Sequence, residues 1–300
     1  IGKSVKNRSI NRITWGNGDT KIFIWSQMHG NESTTTRALI DLLFLIDEHH
    51  SLFLDLYQAL QLKIIPIVNP DGALKLDRYN ANQVDLNRDA IDLSQPESRI
   101  LMNCYNIFQP DVCLNLHDQR SIFGVNENFA GMSFLAPSYN TEQYIKKNRS
   151  DSMSLIARTV KFLSKNGLEG NIGRYDGTFN ANCFGDHFQS RGSTTILIEA
   201  GQLQLDYNRD TSVYYSMLSL LDLLHSILEE SSREDLIKYY HSIPMNEKLF
   251  YDLMIKNVSI NKGSFNLMAK YEVGVNRDGK ASYKVKVDRI SKSLFPSHRL

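Results

Sequence analysis

Cysteine is scarce: Cys104, Cys113 and Cys183 are the only three in 300 residues. An odd, small number excludes a disulfide scaffold, and a chain this long can bury enough core to need none. Charge of one sign is also lacking. Lys and Arg total 34 against 33 Asp and Glu, a net charge of +1. That balance excludes a dedicated nucleic-acid surface or a polybasic membrane surface. No apolar run approaches the ~18 residues of a membrane span; the greasiest segment, SMLSLLDLLHSIL, is interrupted by Asp222 and His225. No internal repeat and no low-complexity tract occurs. With 42% apolar and 22% charged residues, the composition is that of a globular chain and excludes disorder throughout. The first residues, IGKSVKNRSI, contain no apolar export core. Together with the low cysteine count, this leads us to expect a cytoplasmic location.

What is present alternates between strand and helix patterns. Lys21–Gln27 is a short apolar run expected to form a buried strand. After the polar loop MHGNES, Ala38, Leu39, Leu42, Leu43 and Ile46 recur at helical spacing. Leu62–Asn69 is continuous and β-branched, as in a strand covered on both faces, and Asn69-Pro70-Asp71-Gly72 directly after it predicts a turn. Further helices are expected over Glu97–Phe108, Thr141–Asn166 and Arg209–Glu230, and further strands over Val112–Asp118, Ser133–Ser138 and Thr194–Gly201. Alternation of this kind predicts an α/β fold with a mixed, largely parallel twisted sheet and helices on both faces. After residue 243 the pattern becomes polar–apolar alternation, with Asp278-Gly279 between two runs, so a β-hairpin is expected there. We therefore divide the chain into a main α/β domain over 1–243 and a small C-terminal β appendage over 244–300.

Open sheets of this type place ligands at the carboxyl ends of their strands. His29, Asp71, His117 and Glu199 all fall at or just beyond such ends. His29 and Glu32, three apart at a strand-to-helix junction, can face one metal ion, and zinc accepts imidazole nitrogen and carboxylate oxygen. Glu32 is expected in the first helical turn, where the helix dipole favours a carboxylate. His117 is the candidate third ligand, with Asp118 beside it as a possible imidazole partner. Glu199 closes the apolar run ILIEAG; a carboxylate there needs a partner or a task, such as general base. Arg78 and the pair Asn87-Arg88 offer donors for an oxyanion or a substrate carboxylate. Each of these residues alone also has a plain structural reading.

As an ordered set they resemble the zinc carboxypeptidases (the M14 metallopeptidases, carboxypeptidase A-like). The matching elements are HGNE at His29 to Glu32, NPDG at Asn69 to Gly72, Arg78, DLNRD at Asp85 to Asp89, His117 and Glu199. The resemblance implies one zinc ion per chain, held by His29, Glu32 and His117. It implies Glu199 as general base, Arg78 at the scissile carbonyl and its oxyanion, and Asn87 and Arg88 on the terminal carboxylate. Tyr175, 24 residues before Glu199, stands where the family's mobile substrate-binding tyrosine is expected. The implied partner is a peptide with a free C-terminal carboxylate, ordinary or from a cell wall, and no nucleic acid or membrane; oligomeric state is left open. LHDQRSIFG and NANCFGDHFQSRG depart from the best-known members, so no side-chain preference carries over. Two alternatives stay open: a zinc deacylase of N-acyl amino acids, similar to succinylglutamate desuccinylase and aspartoacylase, and a non-catalytic peptide-binding protein.

Overall fold

The computed structural model describes residues 1–229, 233–261 and 263–299. Seven strands form the central sheet: β1 (Ile13–Trp15), β2 (Thr20–Ser26), β3 (Leu60–Ile65), β4 (Val112–Asp118), β5 (Met132–Leu135), β6 (Ile172–Arg174) and β7 (Thr194–Ala200). Their spatial order is β6-β5-β7-β4-β2-β3-β1. β6-β5, β7-β4, β4-β2 and β2-β3 pair parallel, whereas β5-β7 and β1-β3 pair antiparallel. The sheet is thus mixed and largely parallel, as the alternation of elements predicts.

The inner strands are apolar on both faces because both faces are covered. Ile22, Ile24, Leu114, Leu116, Ile196 and Ile198 pack with Leu39 and Leu42 of α1 (Thr34–Glu48), Ile156 and Val160 of α4 (Lys147–Leu163), and Leu220 and Leu223 of α6 (Asp210–Ser226). The alternate residues Phe23, Trp25 and Cys113 face the other way. There they meet Leu101, Tyr105 and Phe108 of α3 (Pro96–Phe108) and Phe184 and Phe188 of α5 (Phe184–Ser190). Cys104 and Cys113 are both buried core thiols. None of the described helices is long and apolar enough to cross a membrane.

Several expected boundaries shift, each for a local reason. The strand expected over Leu62–Asn69 is β3, which stops at Ile65 because Pro66 follows and cannot donate to a ladder. NPDG is not a bare turn. It opens a short helix α2 (Pro70–Lys75), capped by Asn69 Oδ1 accepting from Gly72 N, with proline at the first helical position. The helix expected from Thr141 starts at Lys147, because Gln143 has φ 56° and an Asn140 turn occupies the preceding residues. The long helix α6 ends at Ser226; its expected end at Glu230 lies outside the described residues. A separate helix α7 (Glu234–Ser242) follows.

Beyond α7 the chain returns to the main sheet. Arg174 N donates to Pro244 O and Asn246 N to Arg174 O, and Glu247–Lys248 pairs antiparallel with Phe123 and Gly124. Four strands then form a second sheet: β8 (Tyr251–Ile260), β9 (Gly263–Val275), β10 (Ala281–Ser291) and β11 (Ser297–Arg299), in the order β10-β9-β8-β11. β9 and β10 are the arms of a hairpin that turns at Asn276–Lys280, around Asp278-Gly279.

Candidate metal centre

Two loops meet to build the site. His29-Gly30-Asn31-Glu32 follows β2, and α2 packs directly against it. A Cβ on Gly30 would lie 2.0 Å from Gly72 C and 2.2 Å from Ala73 N, so only glycine permits this approach. Asn69 Nδ2 donates to Met28 O across the same contact. The HGNE and NPDG segments are therefore one packing unit.

His29, Glu32 and His117 converge. Glu32 Oε1 lies 2.8 Å from His29 Nδ1, and Glu32 Oε2 lies 2.8 Å from His117 Nδ1. The two Nδ1 atoms are 3.2 Å apart. All three side chains are buried, and their potential ligand atoms lie within 4.8 Å of one another. Two imidazole nitrogens and a carboxylate oxygen turned to one point are the donor set of a three-ligand zinc site, so these residues fit the ion. Burial works to raise the Glu32 pKa, but the two imidazoles outweigh it and hold the carboxyl well below its ordinary range. For His29, burial is likewise outweighed, by Glu32 and Asp85, and its pKa is raised. For His117 burial wins, and its pKa is lowered.

Glu32 sits just before α1 rather than in its first turn. The N–H groups of Thr34 and Thr35 are instead taken by the Asp118 carboxylate, at 2.7 and 3.1 Å. Asp118 is thereby a helix cap, not an imidazole partner. Asp71, expected among the chemically important strand ends, accepts from Lys6 N and Arg8 Nη1. It fastens the first residues of the chain and does not reach the metal centre.

The imidazole partner is Asp85, a residue to which the sequence analysis gave no role. Asp85 Oδ1 lies 3.1 Å from His29 Nε2 and accepts from Asn87 N at 2.9 Å. Asp85 Oδ2 accepts from Arg78 Nε and Nη2 at 3.0 and 2.9 Å. One carboxylate thus ties a candidate ligand, the candidate oxyanion arginine and the turn Leu86–Arg88 together. Arg78 Nη1 also stands 3.5 Å from Glu32 Oε1. Carboxylate partners of ligating histidines typically contribute about 10- to 100-fold to metal affinity. Asp85→Asn should therefore weaken zinc binding by roughly that factor, read by titration against a competing chelator; an unchanged affinity would remove Asp85 from the site.

Glu199 is the register partner of His117 across β7 and β4. Burial, then the neighbouring Glu32 and Asp118 carboxylates, raise its pKa well above the ordinary value. Asn87 and Arg88 lie on the turn beside the start of α5. Phe184 N donates to Asn87 Oδ1 at 3.2 Å, which ties the side-chain amide to the start of α5. Arg88 Nη1 donates to Asn87 O and to Cys183 Sγ, at 2.6 and 2.9 Å. Burial pushes the Cys183 thiol up to about 11, which suits a packing contact rather than a nucleophile. Tyr175 directly follows β6. Its hydroxyl donates to Gln119 Oε1 at 2.8 Å, and its ring packs edge-on against Phe123. Gln119, two residues after His117, had no spacing signal of its own.

With this geometry in view, the sequence pattern described as zinc carboxypeptidase matches residues 1–124. The likeness to that family lies in this first stretch of the chain. Carboxypeptidase 2 of Trichophyton tonsurans is 28% identical over 100 residues, 33% of this chain and 19% of that protein. The matched stretch is thus about a fifth of that relative's length. Among solved structures, a metallo-carboxypeptidase from Burkholderia cenocepacia superposes with a TM-score of 0.59 at 16% identity, covering 75% of this chain and 62% of that one. The carboxypeptidase A from Helicoverpa armigera gives 0.57 at 14% identity, covering 76% and 68%. At these identities the likeness is one of fold. The matched stretch includes His29, Glu32, Arg78, the DLNRD segment and His117 and ends before Tyr175 and Glu199.

Proposed function

We propose that the chain is a zinc metallocarboxypeptidase that hydrolyses the last peptide bond of a substrate with a free C-terminus. The observation that carries this reading is the convergence of His29, Glu32 and His117, with Glu199 beside His117 and the Arg78–Asp85–Asn87 chain of hydrogen bonds next to it. One zinc ion, held by His29, Glu32 and His117, would supply a Lewis acid that makes a water more acidic and polarises the substrate carbonyl.

The protein's own residues do the rest. Glu199 takes a proton from the attacking water and returns one to the departing amine. A carboxyl whose pKa is raised by desolvation and neighbouring carboxylates holds that proton more readily than an ordinary one. Arg78, fixed by Asp85 and partly exposed, turns a guanidinium edge to the oxyanion. Asn87 and the exposed Arg88 guanidinium bind the terminal carboxylate, and Tyr175, whose hydroxyl is held by Gln119, contributes to substrate binding.

The test is mass spectrometry of a peptide pool containing free and C-terminally amidated versions of each sequence, with and without a chelator. Loss of single C-terminal residues, from free forms only and abolished by the chelator, is the expected result. With zinc bound and no residue released from any peptide, the deacylase becomes the better reading. Within the same assay, Arg88→Ala should lower kcat/KM on free peptides by roughly 10- to 100-fold, the loss expected for hydrogen bonds to a charged group. Equal losses on amidated peptides would detach Arg88 from terminus recognition.

A further inference from the structure

Ser133 stands beside Glu199 and has no assigned task. The two are register partners across the antiparallel pair β5–β7. The register continues on both sides, so His117, Glu199, Ser133 and Gly173 form one row across four adjacent strands. Met132 and Phe134 belong to the helix-covered core on the opposite face, so Ser133 shares the face of Glu199. Directly opposed residues of an antiparallel pair hold their Cβ atoms about 4.5–5.5 Å apart, within reach of a hydroxyl and a carboxylate.

Ser133 is fully buried, and its Oγ has no hydrogen-bond partner among the described residues. A buried hydroxyl without a partner is costly and calls for an explanation. Two acceptors adjoin it, and neither is bonded to it in this structure, so a turn of the Ser133 side chain decides between them. One is Asn246 Oδ1, which also lacks a partner among the described residues; a Cβ on Gly173 would lie 3.2 Å from both Asn246 Cβ and Ser133 Oγ. The other is the Glu199 carboxyl. An ionised carboxylate accepts about twice as strongly as an amide oxygen.

We propose that Ser133 is a positioning residue for Glu199, its hydroxyl donating to the carboxylate and fixing the oxygen that meets the water. The inference rests on the reading of Glu199 as general base.

The test uses zinc-loaded protein labelled with ¹³C in the glutamate carboxyl groups. Difference infrared spectra against Glu199→Gln isolate the Glu199 band. Ser133→Ala and the near-isosteric Ser133→Cys should both move that band, and Asn246→Ala should leave it in place. On free peptides kcat should fall about tenfold or more with KM unchanged. In the Glu199→Gln background, Ser133→Ala should add no further loss, as expected of residues acting as one unit. A band that ignores both Ser133 substitutions, a band that follows Asn246 instead, or equal kinetic losses in both backgrounds would overturn the assignment. A parent chain that releases no residue from any peptide would defeat the carboxypeptidase reading, while the infrared comparison would still decide Ser133.

Discussion

With Glu199 replaced by glutamine, the chain should retain zinc at one ion per chain and lose roughly 100- to 10,000-fold in turnover, the range attributed to a positioned general base. Glutamine preserves shape but puts a donor NH2 in place of one acceptor oxygen, and it cannot take the proton. The rival reading is a structural carboxylate held by an arginine. The geometry weighs against it. The two nearby guanidinium groups are committed elsewhere: Arg78 to Asp85, and Arg209 to Ala200 O and Gln119 O. What surrounds Glu199 instead is burial and two further carboxylates, Glu32 and Asp118. That environment disfavours charge, so glutamine should not lower the melting temperature and could raise it. A structural ion pair predicts the reverse, since its loss strands a buried cation and costs about 3–5 kcal/mol. Metal analysis, turnover and thermal unfolding on one preparation separate the two. Turnover within threefold of the parent would end the general-base assignment.

Much of the main sheet could be read from the sequence because its inner strands are apolar throughout and its helices carry one apolar stripe. β4 was expected over Val112–Asp118 and runs over those same residues, since both faces of that strand are covered and its ends are polar. Elements shifted where a single residue overruled the pattern, as with Pro66 after β3 and the left-handed Gln143 before α4. The candidate ligands stood out because His29 and Glu32 lie three apart at a strand-to-helix junction and His117 closes a strand, where open α/β sheets gather chemistry. Asp85 was hidden for the opposite reason. Its importance lies in four hydrogen bonds to partners from two to fifty-six residues away, and no periodicity encodes those. Ser133 was hidden too, because its meaning comes from the register between β5 and β7, which depends on how the strands are ordered in space. Asp118 was misread through adjacency: neighbouring residues on a strand point to opposite faces, so the residue after a ligand turns away from it and here finds the start of α1.

His117→Ala should be the most damaging change to the metal centre. Structural zinc sites with four ligands bind with about 10–16 kcal/mol, or roughly 2.5–4 kcal/mol per ligand. Loss of one imidazole from a three-residue set should therefore weaken zinc about 100- to 1,000-fold. The same change should also destabilise the metal-free chain. Glu32 is buried and accepts from the His117 side at 2.8 Å; alanine leaves that oxygen with Asp118 N, at 3.2 Å. The two effects are separable because they differ in metal dependence. Chelator competition reads the affinity, and unfolding with and without excess zinc reads how much of the stability loss the ion restores. If His117 were an ordinary core histidine, alanine would lower stability equally in both conditions and leave zinc affinity where it was. That outcome would move the third ligand elsewhere and, with it, the position of Glu199 relative to the metal. The expected outcome is a parent chain stabilised by zinc and a variant that zinc barely stabilises at the same concentration, because a ligand shifts folding only by what it gains in binding the native state.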